Sequence, residues 1–137
     1  MRTGLDTSFE KDTAMANYQP TNLVLHQLSR ILEVSFEDGA TWRLPCEYLR
    51  VYSPSAEVRG HGPGQGTLQT GKEEVNISDI EPVGNYAVRL VFDDGHNSGL
   101  YTWDYLYLLG KQYDHNWKEY LAALSEAGHT RKARADG

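Results

Sequence analysis

Five histidines, a single cysteine, two pairs of adjacent acidic residues and one glycine-rich run are the parts of this sequence that could do chemistry. The histidines are His26, His61, His96, His115 and His129. No two of them sit four apart on a helix face, and neither H-x-D nor H-E-x-x-H occurs, so no resident metal centre is assigned. Cys46 stands alone, which excludes an intramolecular disulfide and any cysteine-only zinc or iron–sulfur site within one subunit. It follows Pro45 with no histidine close in sequence, so it reads as a packing residue rather than a nucleophile. Ser53 and Ser55 flank Pro54 without the G-x-S-x-G elbow of a serine hydrolase. Glu37/Asp38 and Asp93/Asp94 lie in hairpin turns, where acidic residues are favoured by turn chemistry alone. No catalytic residue and no cofactor follow from these residues.

The run Gly60-His61-Gly62-Pro63-Gly64-Gln65-Gly66 invites a phosphate-binding reading. A P-loop requires lysine and a hydroxyl residue directly after its last glycine, at a helix start. Here Thr67-Leu68 follows and Lys72 is six residues on, with neither the strand before nor the helix after that a dinucleotide fold needs. A surface loop over Ser53–Lys72 that carries Arg59 and His61 to a partner fits better. Next to it in the expected fold comes an aromatic run, Tyr101-Thr102-Trp103-Asp104-Tyr105-Leu106-Tyr107. These rings cannot all face inward, so some of them, with Tyr48 and Tyr52, are expected at the surface. Tyrosine and arginine are enriched at protein interfaces, which makes Arg50, Tyr52, Ser53, Arg59, His61, Lys72, Tyr101, Trp103 and Tyr105 the candidate interaction residues.

The elements that must position these residues are short. Leu23–Leu28 and Ile31–Phe36 read as strands, with Leu32, Val34 and Phe36 alternating onto one face. Glu37-Asp38-Gly39 is a hairpin turn, Thr41–Leu44 returns and Pro45 ends the strand. Cys46–Tyr52 has helical spacing. Val75–Ile80, Ala87–Phe92 and Gly99–Trp103 are strands, with Asp93-Asp94-Gly95 as the second hairpin turn. Asp104–Leu109 reads as a helix stopped by Gly110. Trp117, Tyr120, Leu121 and Leu124 place an apolar stripe on a C-terminal helix ended by Gly128. Phe36-Glu37-Asp38-Gly39 before Glu47-Tyr48-Leu49 is echoed by Phe92-Asp93-Asp94-Gly95 before Asp104-Tyr105-Leu106. The expectation is an α+β fold: antiparallel hairpins forming a sheet, two short helices and an amphipathic C-terminal helix.

At 137 residues the chain has the length of one domain, expected over residues 18–127 between a disordered 1–17 extension and a disordered, solvated 128–137 tail. Residues 1–14 read as an alternative start or a non-native extension. The net charge is −6 and the only basic concentration is Arg131, Lys132 and Arg134, which argues against a phosphate-neutralising nucleic-acid binder. No apolar run is long enough to span a bilayer and no leader opens the chain, so a cytoplasmic protein without membrane contact is expected.

From Leu44-Pro45 through Tyr48-Leu49-Arg50-Val51-Tyr52-Ser53-Pro54-Ser55-Ala56-Glu57-Val58-Arg59-Gly60-His61-Gly62, the sequence resembles the small bacterial proteins classed as gamma-butyrobetaine hydroxylase-like N-terminal domains, a family of unknown function. Gln69-Thr70-Gly71-Lys72, Ile80–Tyr86, Phe92–His96 and Trp103-Asp104-Tyr105-Leu106 extend the resemblance over residues 21–111. In the hydroxylases the resemblance implies a structural zinc held by three cysteines and a histidine. Those positions fall here on Ser53, Ser55, Val58 and His96, and hydroxyls and a valine cannot replace thiolates, so loss of the site is expected. The catalytic domain of the hydroxylases has no counterpart in the chain. The domain also resembles one appended to P-loop ATPases that carry iron–sulfur clusters, which implies a docking or accessory role. The expected function is therefore a non-enzymatic domain that binds another protein through Arg50–Lys72 and Tyr101–Tyr105. The alternatives are a metal-handling accessory using His61, His96 and Cys46, alone or across a dimer, and a small-ligand-binding domain or enzyme with a pocket between loop and sheet.

Overall fold

A computed structural model describes residues 18–59 and 66–132. The expected N-terminal extension and His61 therefore lie outside the described residues. Strands β1 (Pro20–His26), β2 (Ile31–Phe36) and β3 (Thr41–Pro45) form one antiparallel meander, and β4 (Ile77–Val83), β5 (Ala87–Phe92) and β6 (Leu100–Thr102) form a second. The single expected sheet is thus two three-stranded sheets. Hairpin pairing ends at Pro45, where the chain enters helix α1 (Cys46–Val51), and restarts only at Ile77. The 53–72 segment, expected as loop throughout, contains a one-turn helix α2 (Ala56–Arg59). Helix α3 (Trp103–Lys111) follows β6, and α4 (Tyr113–Glu126) closes the fold. Among the described residues no helix is long and apolar enough to cross a membrane.

Strand alternation builds the core as the sequence implies. Leu32, Val34 and Phe36 of β2 and Val88, Leu90 and Phe92 of β5 are buried on the inward faces of the two sheets. They share one cluster with Leu44, Cys46, Tyr48 and Leu49, and with Tyr101, Leu106 and Leu109 of β6 and α3. Cys46 is fully buried, and its thiol lies 3.8 Å from the Asn76 amide oxygen. Leu28, expected at the end of a strand, falls instead in the β1–β2 turn and is almost wholly exposed.

The repeated turn motif is repeated in its bonding. In the first turn the Phe36 N–H donates to Ala40 C=O, the Gly39 N–H to Phe36 C=O, and the Ala40 N–H to the Asp38 carboxylate. In the second, Phe92, Gly95 and His96 donate to His96 C=O, Phe92 C=O and the Asp94 carboxylate in the same pattern. Gly39 and Gly95 both take left-handed φ, +93° and +92°, which glycine adopts without a Cβ clash.

The two halves then grip one another reciprocally. Tyr48 of α1 donates its hydroxyl to Leu109 C=O at 2.7 Å, and Tyr105 of α3 donates to Tyr52 C=O at 2.6 Å. Arg50 of α1 reaches the second turn's Asp94, while Tyr107 of α3 reaches the first turn's Asp38. Each meander's turn thus holds the helix of the other meander.

Gly110 does not stop α3, which runs on through it to Lys111. It is buried beneath the Trp42 indole, where a Cβ would overlap ring atoms. A helical glycine sits there because nothing larger fits between the helix and the ring. Along α4, Tyr120 and Leu124 are buried and Trp117 half-buried, whereas Leu121 of the expected stripe is exposed. Gly128 ends the helix at φ +78°. The tail expected to be solvated from this point is instead pinned over residues 129–132, because Arg131 pairs with the buried carboxylate of Glu47.

Candidate functional site

The chain leaves α1 at Tyr52 and turns through Ser53-Pro54-Ser55 into α2. Ser55 caps that turn, its Oγ accepting the Glu57 N–H at 3.2 Å, while its own N–H donates to Ser53 Oγ at 3.2 Å. Opposite lies the β5–β6 connection. Ser53 Oγ is 2.8 Å from His96 Nε2, and His96 Nδ1 is 3.2 Å from Glu57 Oε1. An ionised carboxylate can only accept, which assigns the ring proton to Nδ1 and makes the Ser53 hydroxyl the donor to Nε2. Ser55 Oγ is also 2.7 Å from Ser98 Oγ. Three of the four positions that the resemblance aligned with zinc ligands, Ser53, Ser55 and His96, are therefore brought together, with a hydroxyl–imidazole–carboxylate chain running out from them to Glu57. Both ring nitrogens of His96 are engaged in it. Among the described residues no group of three or more His, Cys, Asp or Glu is placed to hold a metal ion.

The order serine, histidine, carboxylate is that of a hydrolase triad, but the geometry does not open it to a substrate. Ser53 is 0% exposed, and a Cβ on Gly99 would lie 2.5 Å from its Oγ. No acyl carbon can approach that oxygen in this conformation. What the chain of bonds does is fasten the start of α2 to the β5–β6 connection.

His96 is buried, and burial, reinforced by the Arg50 charge, lowers its pKa against the opposing pull of Glu57 and Asp94. The unfolded chain takes up this proton near pH 6.5 while the folded chain resists it. The contribution of His96 is therefore present in full above that pH and weakens as the pH falls through it. His96→Gln is expected to flatten the pH dependence of the urea midpoint between about pH 7 and 5. An equally steep dependence in the variant would show that His96 is not its source.

Beside this chain lies an ion-pair cluster that the sequence reading treated only as turn chemistry. Arg50 Nε and Lys72 Nζ meet on Asp94 Oδ2 at 2.9 and 2.7 Å, and Arg50 Nη1 donates to Gln69 Oε1 at 3.0 Å. Burial would raise the Asp94 pKa, but Lys72, the His96 N–H and Arg50 overrule it and hold the carboxyl down at about 2. Arg50 and Ser53, expected on a docking surface, are buried and spent on these contacts. Tyr101 is likewise no surface ring. It is fully buried with its hydroxyl on Leu49 C=O at 2.6 Å, and burial pushes its pKa well above the ordinary phenol range. Lys72 is half-buried on Asp94.

The outer face is carried by fewer residues. Arg59 is exposed, with its guanidinium carbon 5.7 Å from the centre of the half-buried Tyr105 ring. Tyr105 adjoins Tyr52 through the hydroxyl bond already described. Tyr52 in turn lines a groove of about 270 Å³ between α4 and the 67–69 segment, with Val51, Leu68, Glu119, Tyr120 and Ala123. Leu68 is 37% exposed at its edge. Trp103 points elsewhere, donating to Asn85 C=O and lining a cleft of about 400 Å³ with Tyr18, Tyr86 and Asp104. Of the nine candidate interaction residues, then, Arg59, Tyr105 and Tyr52 adjoin one another in a row, exposed at Arg59 and half-buried at the two rings. Gln69, Leu68 and Glu119 join that region and were missed, having no local signal beyond ordinary loop and helix composition.

The family model described as "Gamma-butyrobetaine hydroxylase-like, N-terminal" matches residues 23–107. No curated protein matches the chain. Two NMR solution structures are similar at a TM-score of 0.75. One is 46% identical, covering 87% of this chain and 94% of that one, and the other is 48% identical, covering 96% of each. A crystal structure of a protein of unknown function from Acidithiobacillus ferrooxidans, assigned to the DUF971 family, is 43% identical over 67% of this chain and 92% of that one, at a TM-score of 0.57.

Proposed function

Because the chain belongs to the gamma-butyrobetaine hydroxylase-like N-terminal domain family, whose function is not established, we propose that it is a docking domain that binds another protein and performs no chemistry itself. The observation that carries this reading is the row Arg59–Tyr105–Tyr52, exposed at Arg59 and half-buried at the rings, running into the groove edged by Leu68. Arginine and tyrosine with an apolar neighbour are the residue types on which interface binding energy concentrates. The groups capable of catalysis nearby point the same way, since Ser53, His96 and Arg50 are buried and bonded to one another's neighbourhood. The resemblance to a domain appended to iron–sulfur-carrying P-loop ATPases makes such an ATPase the first partner to test.

A photo-crosslinking residue placed at Leu68 in cells is expected to give one discrete adduct, and the same residue at Leu28, exposed in the β1–β2 turn, to give none. Arg59→Ala should reduce the Leu68 adduct about tenfold, the loss of a hot-spot contact. Equal labelling from both positions, or none from Leu68, would remove the docking reading.

A further inference from the structure

Past Gly128 the chain doubles back, with the His129 N–H donating to Leu124 C=O at 2.9 Å. Arg131 then enters the domain. Its Nε lies 2.8 Å from Glu47 Oε2 and its Nη2 2.5 Å from Glu47 Oε1, a two-pronged pair with a carboxylate that is 2% exposed. The guanidinium also lies over the Trp117 ring, 5.2 Å from its centre. One residue on, the Lys132 N–H donates to Glu73 Oε2 at 2.8 Å, and Glu73 is itself buried. Beside these contacts is a cavity of about 250 Å³, walled by Thr70, Gly71, Glu73, Tyr120, Leu124 and the tail.

The receiving groups belong to α1, α4 and the segment before β4, and are fixed by the core. What the tail supplies is a guanidinium and one backbone N–H, which any arginine-bearing peptide can supply. Residues 129–132 belong to no helix or strand, so no ladder ties them in place. We propose that Glu47, Glu73 and Trp117 form a recognition slot for an arginine-bearing peptide segment, filled in this structure by the chain's own residues 129–132. The planar fork is what the slot reads: a lysine ammonium can meet Glu47 only as a point charge and does not stack on the indole in the same way. A buried carboxylate left without a cation is costly, so the slot favours being filled by an arginine and stands open only transiently when the tail releases. The inference is independent of the Arg59–Leu68 face and holds whether or not that face has a partner.

The test uses full-length Arg131→Ala and a fluorescently labelled peptide of residues 128–137. The variant is expected to bind the peptide, and to bind it at least about tenfold more tightly than the wild-type chain, whose tethered tail competes at an effective concentration in the millimolar range. The same peptide with alanine in place of its Arg131 should not bind the variant. A folded variant that ignores the peptide, or binds both peptides alike, overturns the proposal. Should the variant not fold, hydrogen exchange on the wild-type chain decides. The Lys132 amide is expected to exchange far faster than the amides of β2 and β5, because the tail releases without global unfolding. Exchange at the rate of those core strands would mean that the slot never opens, and would equally overturn the proposal.

Discussion

Asp94→Ala is expected to lower the free energy of unfolding by about 3 kcal/mol, the cost of leaving a buried arginine without its counter-ion. Arg50 has a side chain only 9% exposed, and the Asp94 carboxylate it meets is 23% exposed. Removing the carboxylate also takes away the partner of Lys72 and the acceptor of the His96 N–H. Gln69 remains as a neutral acceptor for Arg50, which keeps the loss from the top of the usual range. The wild-type protein supplies a second readout. Its Asp94 pKa of about 2 lies below the unfolded value, so its stabilisation is complete above about pH 4 and is lost as the pH falls towards 2. That loss amounts to about 2 kcal/mol. In Asp94→Ala this part of the acid dependence should be absent. Equilibrium urea unfolding of both proteins at pH 7 and near pH 3 checks both statements. A variant as stable as the wild type, with the same acid limb, would show that the Arg50–Asp94 pair carries little.

Gly110→Ala is the second change with a large expected effect, and it runs against local propensity. In an exposed helix the substitution would gain about 1 kcal/mol. Here the new Cβ would lie 2.6 Å from Trp42 Cγ and 2.7 Å from Cε3. The indole cannot swing aside freely, because Phe36 and Tyr107 pack edge-on against it at centroid distances of 6.0 and 4.7 Å. Overpacking of this kind costs about 1–3 kcal/mol or more. A net loss of about 2 kcal/mol is expected, read as a melting temperature lower by roughly 8 °C. Trp42→Leu should make the alanine at 110 far better tolerated, so the double variant loses less than the sum of the two single ones. An unchanged melting temperature in Gly110→Ala would mean that the helix and ring separate without cost.

Both residues mark the boundary of what the sequence discloses. The strands, the two Asp-Gly turns and the C-terminal helix are written in local pattern, because alternation, turn chemistry and helical spacing each act within a few residues. Gly110 is not local. Read alone it resembles a helix stop, and its actual cause is an indole 68 positions earlier. Arg131 fails in the same way: in a polar tail it looks solvated, and only the fold brings buried Glu47 to meet it. Asp94 was legible as a turn residue, and it is one, but its second oxygen serves Arg50 and Lys72 from elsewhere in the chain. The surface row was half legible. Residue type singled out tyrosines and arginines correctly as a class, yet could not separate Tyr101, buried in the core, from Tyr105 four residues later. The family resemblance did better for Ser53 and His96, aligning two positions that the fold sets in contact.

The reciprocal grips between the two halves bear on that contact. Tyr48 and Tyr105 are equivalent, as are Tyr52 and Leu109, at one common offset along the chain. The same offset takes Ser53 to Gly110 and Trp42 to Gly99. Ser53 abuts Gly99, and Gly110 abuts Trp42, so the chain solves one packing problem twice with different materials. On one side it inserts an aromatic plug against a bare backbone. On the other it leaves a small hydroxyl, and the room so gained holds an imidazole, which the exposed Glu57 carboxylate meets from the solvent side. Architecture alone does not require the second solution, since its apolar twin already exists in the same molecule. The polar version ends on Glu57, which shares its one-turn helix with Arg59.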